Sequence, residues 1–227
     1  MSRRLEDALQ KLREAVGALS SASITDDLTP LANAIALRQV GMTVGTAKEA
    51  PDVVVFGDLN RFKSLNDQYG HEVGDVAISY MGQLIDTVFV KGFGCHAFRR
   101  SGDEFVLLTT EDRIAYLRAG LKMFAACNFN VNNQVHTVSM SFGLARADGK
   151  ADFHLLMERA EVACQVAKSQ GDGELVEWTE ELATQAYRSI RGRCRKCGTK
   201  VVCDVPATAN SSVNSIRVCP VCEERQM

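Results

Sequence analysis

PDVVVFGDLNRFKSLNDQYGHEVGD, residues 51–75, is the stretch on which the fold turns. Its first half is short, β-branched and apolar, so 51–59 reads as a buried strand that stops abruptly at Asp58. Helical patterns follow at once, a short one near 61–69 and a longer one across 74–90. Downstream, HAFRR (96–100) and EFVLLTT (104–110) are strand-like and joined through Ser101, Gly102 and Asp103, a hairpin signal. Residues 112–126 read as helix, 135–146 as one strand, 152–169 as helix and 174–178 as a weak last strand. Upstream, Leu31 to Val40 has a helical pattern, with Asp26, Asp27 or Thr29 as candidate N-caps and Gly41 and Gly45 as breakers. Strands and helices alternate without long gaps, which predicts an α/β or α+β sheet domain over about residues 25–178.

The two ends of the chain differ from this middle. Leu5, Leu9, Leu12, Val16 and Leu19 recur at heptad spacing, so residues 1–23 contain an amphipathic helix. It either packs on its own domain or serves as a dimerising stalk. Five of the eight cysteines crowd into residues 194–227, while Cys95, Cys127 and Cys164 are scattered singly among apolar residues and read as buried hydrophobes. Cys194-x-x-Cys197 and Cys219-x-x-Cys222, with 21 residues between, have the spacing of a structural Zn²⁺ site. Residues 191–227 are therefore expected to be a zinc ribbon, Cys203 a spare thiol, and 179–190 a helical connector. Arg188, Arg191, Arg193, Arg195, Lys196 and Lys200 form a basic cluster at the ribbon's entrance, a solvated face or a surface for a protein or nucleic-acid partner.

Bulk composition narrows the class. An apolar share of 46% and a charged share of 24% suit a globular protein, and a net charge of −2 gives no global pull toward nucleic acid. No run of residues reads as a membrane span, and the charged start MSRRLEDALQKL lacks the apolar core of a signal peptide. A cytoplasmic protein without a membrane role is the expectation, and reduced thiols there favour zinc over disulfides.

Asp58 at one strand end and Asp103 with Glu104 on a hairpin would meet at one edge of the sheet. Such carboxylates suit Mg²⁺ and a triphosphate, or else Asp58 caps the next helix and Asp103 fills a turn. The residues themselves carry a resemblance. DLNRFKSLNDQYGHEVGD (58–75) followed by RRSGDEF (99–105) resembles the GGDEF family of diguanylate cyclases, and DDLTPLANAIAL (26–37), TVSMSFGLA (137–145) and RAEVACQVAKSQGDG (159–173) resemble further pieces of it in order. The likeness covers about residues 24–178.

The resemblance implies an α+β, palm-like fold with an antiparallel-centred sheet flanked by helices. It implies condensation of two GTP into cyclic di-GMP and pyrophosphate across a homodimer. Asp58, Asp103 and the Leu59 carbonyl would hold Mg²⁺, with Glu104 in support. Asn66 and Asp75 would read guanine, and Lys63 and Lys168 would meet the phosphates. Gly70, His71 and Gly74 would shape the loop between two helices. Several positions depart from the pattern: Ser101 replaces the first hairpin glycine, Asn60 the second aspartate of D-x-D, and Asp172 an arginine. Ala34 and Ile35 stand for two arginines, and Gly92 and Cys95 replace a product-inhibition motif, so feedback through it is expected to be lost. The alternative is a degenerate module that binds GTP or a cyclic nucleotide and acts as a receptor or scaffold through its ribbon. A third is a relative that polymerises or hydrolyses other nucleotides on the same fold.

Overall fold

The computed structural model describes residues 24–46 and 50–182, and the backbone of 187–193 and 200–206. The helix expected within residues 1–23 and all four zinc-ligand candidates, Cys194, Cys197, Cys219 and Cys222, lie outside the described residues.

The architecture grows from β1 (Val53–Leu59). Its side chains alternate between two cores: Val53, Val55 and Leu59 face one, Val54 and Phe56 the other. A strand covered on both faces must be apolar throughout, which is why 53–56 carries no polar residue. Around it lie β2 (His96–Ser101), β3 (Glu104–Thr109), β6 (Met140–Arg146) and β7 (Leu175–Glu177), in the order β2-β3-β1-β6-β7. β1 runs antiparallel to both neighbours, and only β7 is parallel to its partner, so the sheet is mixed with an antiparallel centre.

Helices cover both faces. On one lie α2 (Phe62–Tyr69), α3 (His71–Ile85), a π-helical continuation over Asp86–Lys91 and α4 (Ile114–Leu121). The other holds α1 (Ala34–Gly41) and α5 (Phe153–Gln170), whose Ala36, Leu37, Leu156, Ala160 and Cys164 meet Val54 and Phe56. The continuous helix His71–Lys91 is long and apolar enough to span a membrane by composition, contrary to the reading from sequence. Its Ala77, Met81, Ile85 and Phe89 are fully buried in the core, as in the central helix of a globular domain.

Several boundaries differ from expectation for identifiable reasons. α1 starts at Ala34, three residues late, because Asn33 Oδ1 accepts from the amides of Ile35 and Ala36. Asp26 instead accepts from the Leu28 and Thr29 amides in its own turn and from Arg99 on β2. Burial pushes the Asp26 carboxyl up, but hydrogen bonds from Thr29 and Arg99 outweigh it and hold the pKa below the ordinary value. The run 135–146 is two strands rather than one. β5 (Gln134–Val138) forms a separate hairpin with the unforeseen β4 (Cys127–Val131), and Ser139 divides it from β6. Positive φ at both Asn132 and Asn133 marks the type I′ turn of that hairpin.

Past Trp178, β8 (Tyr187–Arg193) pairs antiparallel with β9 (Lys200–Pro206), so the end of the expected helical connector is a strand. Cys203 is in β9.

Candidate active site

β1 delivers Asp58 between two neighbours, opposite Glu104 of β3 and Ser141 of β6. The β2–β3 turn is two residues long, with positive φ at Gly102 alone (+47°), the requirement of the first central position of a type II′ turn. Arg99 Nε donates to the Gly102 carbonyl at 2.9 Å, and the Leu59 amide donates to the Asp103 carbonyl at 3.2 Å. The turn is thereby tied to the exit of β1, and Asp58 and Asp103 come together at one sheet edge. Of the two readings of these carboxylates, the helix-cap one fails: the N-cap position of α2 is Arg61, which makes no side-chain cap.

Lys168, in the last turn of α5, completes the centre. Its Nζ donates to Asp58 Oδ1 in a very short contact and lies 3.3 Å from the Leu59 carbonyl. Burial pushes the Asp58 pKa up to about 6; Lys168 opposes the shift, while Asp103 and Glu104 add to it. Burial also raises Asp103, with Lys168 opposing and Glu104 reinforcing. Charge is concentrated here against the cost of burial, and a cation relieves it.

Asp58 and the Leu59 carbonyl, two of the groups implied to hold Mg²⁺, are the two that hold the ammonium. The donor set therefore fits a cation. Among the described residues no group of three or more His, Cys, Asp and Glu side chains forms a metal cage. Mg²⁺ suits such an open site, since it takes one or two carboxylates and completes its shell with water and phosphate.

Glu104 has a structural engagement. Ser101 Oγ donates to Glu104 Oε2 at 2.7 Å, and Arg100 reaches Glu104 at 3.8 Å and Glu161 at 2.9 Å. The serine that replaces a glycine in the hairpin is thus used to hold the neighbouring carboxylate. Asp172 is likewise paired, with Arg61 at 3.3 Å.

The remaining candidates lie on the α2–α3 pair. Lys63 is exposed in the first turn of α2, and Asp75 is exposed in α3. Gly70, with φ +88°, is the whole junction between the helices, so His71 and Gly74 belong to α3 and not to a loop. Gly74 makes room for Asn66, since a Cβ there would lie 1.9 Å from Asn66 Oδ1. That oxygen is buried without a hydrogen-bond partner, an acceptor awaiting a donor. Asn66 thus packs against Gly74, the residue before Asp75, in the contact between the two helices.

Three features were not foreseen. Asn60 is bonded to Ser139 and Ser141 of the β6 side. Arg99 and Asp26 form a pair with side chains only 13% and 14% exposed, for which DDLT offered a signal. A cleft of about 550 Å³ opens beside α2, lined among others by Arg61, Gln68, Tyr69, His136 and Asp172.

A sheet with helices on both faces and a carboxylate–lysine centre at one strand exit defines the class of domain. The chain matches the family described as "Diguanylate cyclase, GGDEF domain" over residues 23–174, and it belongs to that family. Among curated relatives, Escherichia coli diguanylate cyclase DosC is 29% identical over 143 residues, 58% of this chain and 29% of the relative. Diguanylate cyclase DgcS of Shewanella oneidensis is 34% identical over 117 residues, 50% of this chain and 38% of the relative. The chain thus spans well under half the length of these relatives. Among solved structures, the coiled coil and GGDEF domain of Caulobacter crescentus DgcB, in complex with c-di-GMP, superposes with TM-score 0.64 at 24% identity, covering 77% of this chain and 97% of that one. Pseudomonas aeruginosa diguanylate cyclase SiaD, in complex with its activator SiaC, gives TM-score 0.64 at 24% identity over 77% of this chain and 69% of that one. At that identity the likeness carries the fold.

Proposed function

We propose that the chain is a cytoplasmic diguanylate cyclase that condenses two GTP into cyclic di-GMP and two pyrophosphates across a homodimer. The observation that carries this reading is the Lys168 ammonium resting on Asp58 and the Leu59 carbonyl beside Asp103, a slot built for positive charge. Asp58, Asp103 and the Leu59 carbonyl would hold Mg²⁺, which when bound supplies positive charge to the reacting phosphate and hydroxyl. Lys168 then moves its ammonium from Asp58 to the triphosphate. Lys63 meets the phosphates from α2, where it counters the charge of the leaving pyrophosphate. Asp75 accepts from the N1–H and N2 amino group of guanine, donors that adenine does not present together, and Asn66 reads the same edge.

Each 3′-hydroxyl attacks the α-phosphorus of the opposite nucleotide. A new P–O bond forms, the bond to the α,β-bridging oxygen breaks, the hydroxyl loses its proton and pyrophosphate departs. One protomer contributes half of the arrangement, and the heptad helix in residues 1–23 is the proposed dimer device. The C-terminal cysteines, Cys194, Cys197, Cys219 and Cys222, would bind structural Zn²⁺ and present the tail to a protein or nucleic-acid partner.

Asn60, which lacks the carboxylate of the family pattern, and the acid at Asp172 favour a second reading, a module that binds GTP or a cyclic nucleotide without turnover. Incubation of the purified chain with GTP and Mg²⁺, followed by chromatography and mass analysis, separates the two. The cyclase yields cyclic di-GMP that is lost in Asp58→Ala and falls at least about a hundredfold in Asp103→Asn. GTP returned intact by the wild-type chain at high concentration, with binding retained, would establish the module instead.

A further inference from the structure

Where the family pattern has its second aspartate, Asn60 has a full set of partners. Its Nδ2 donates to Ser139 Oγ at 3.0 Å, its Oδ1 accepts from Ser141 Oγ at 3.0 Å, and its backbone N–H donates to the Ser139 carbonyl at 2.9 Å. The Ser141 hydroxyl also lies 3.4 Å from the carbonyl of Gly171, the residue that closes α5 just beyond Lys168. Ser141 stands directly opposite Asp58 in the ladder, and its own carbonyl accepts from Cys164 of α5 at 3.2 Å. These contacts run as one strap from the end of β1, through the start of β6, to the end of α5. An amide suits the middle of it, since it donates from one end and accepts at the other.

Immediately upstream of this strap are the Asp58 carboxylate and the Leu59 carbonyl. Beyond Leu59 the ladder with β6 ends, so the Asn60 contacts are the last that hold the strand exit in register. We infer that Asn60 is a positioning residue: it clamps the exit of β1 to β6 and to the end of α5, and so sets where Asp58 and the Leu59 carbonyl stand. This assignment rests on the cyclase reading for its functional consequence, and on the hydrogen bonds alone for its structural one.

The test uses the full chain and four variants: Asn60→Leu, Asn60→Asp, Ser139→Ala, and Asn60→Leu with Ser139→Ala. Backbone hydrogen exchange reads the clamp. Asn60→Leu and Ser139→Ala should speed exchange at positions 59 and 60 by about tenfold, while Val55 in the middle of β1 keeps its rate and reports an intact sheet. Asn60→Asp should stay slow, because both its oxygens accept from the serine hydroxyls. Calorimetric binding of the α,β-methylene analogue of GTP with Mg²⁺ reads the consequence. Each single loss should weaken it about tenfold, as loss of a group that orients a metal ligand does. The double variant should be no weaker than Asn60→Leu, because the two residues act as a unit.

Unchanged exchange at positions 59 and 60 in both single variants would overturn the clamp. So would about tenfold tighter Mg²⁺-dependent binding in Asn60→Asp, which would mark the position as a metal ligand with its charge removed. A wild-type chain that does not bind the analogue at all defeats the cyclase reading, and the exchange data still decide the clamp.

Discussion

Asp58 is a carboxylate held where its charge is costly, and it makes the domain's stability depend on pH. Burial raises its pKa from 3.8 to about 6 in the folded state. The folded chain therefore binds a proton more tightly than the unfolded one. Stability is highest below the unfolded pKa and falls as pH rises through the folded one. A shift of about two units corresponds to at most about 3 kcal/mol, lost between about pH 4 and pH 6.5. Urea unfolding of the metal-free chain at pH 4.5 and pH 7 should show that loss, and Asp58→Asn should flatten the curve in this window. Parallel curves for the two proteins would mean that Asp58 titrates normally. At this scale part of the site was legible: Asp58, Asp103 and Lys168, each singled out from the sequence, lie close together, although Lys168 rests on Asp58 and not on a phosphate. Asn60 was not legible, because its partners lie 79 and 81 positions away and no local pattern announces a hydrogen bond of that span.

Secondary-structure elements follow the same division between local and distant causes. β1, the β2–β3 hairpin and α5 were readable because apolar runs, a Gly-Asp turn and helical periodicity are local signals. The single strand expected over 135–146 fails at Ser139, whose carbonyl and hydroxyl are both taken by Asn60 across the fold. The contact between α5 and β6 has a legible cause in hindsight, the glycine in SMSFGLA. A Cβ on Gly143 would lie 2.0 Å from the Ala160 carbonyl oxygen and 2.2 Å from the Cys164 amide nitrogen. Only a bare backbone lets the helix approach, and that approach sets the height of Lys168 above Asp58. Helix backbone cannot rotate aside as a side chain can, so Gly143→Ala should destabilise the domain by about 3 kcal/mol or more. A urea midpoint within experimental error of the wild type would show that α5 can lift off the sheet without cost.

The whole molecule joins parts with different sources of stability. Residues 31–167 supply a two-faced core in which Phe89, Phe105, Phe124 and Phe142 are fully buried. Its three cysteines, Cys95, Cys127 and Cys164, are free and buried, with thiol pKa values raised by burial, so they behave as apolar filling. Among the described residues the β8–β9 hairpin forms a two-stranded sheet, and a lone two-stranded hairpin is marginal in water. A module of that size needs a staple, and the proposed zinc site, four thiolates in two CxxC pairs, would supply one. Elemental analysis of the purified chain should find one zinc per protein, and Cys219→Ser should release it, since three ligands cannot close a structural site. The unfolding free energy of the GGDEF domain should stay within about 0.5 kcal/mol of the wild type, because the substitution lies outside its core. Full zinc content in Cys219→Ser would remove that cysteine from the ligand set. A metal-free wild type with its C-terminal cysteines oxidised in pairs would replace the zinc staple by disulfides.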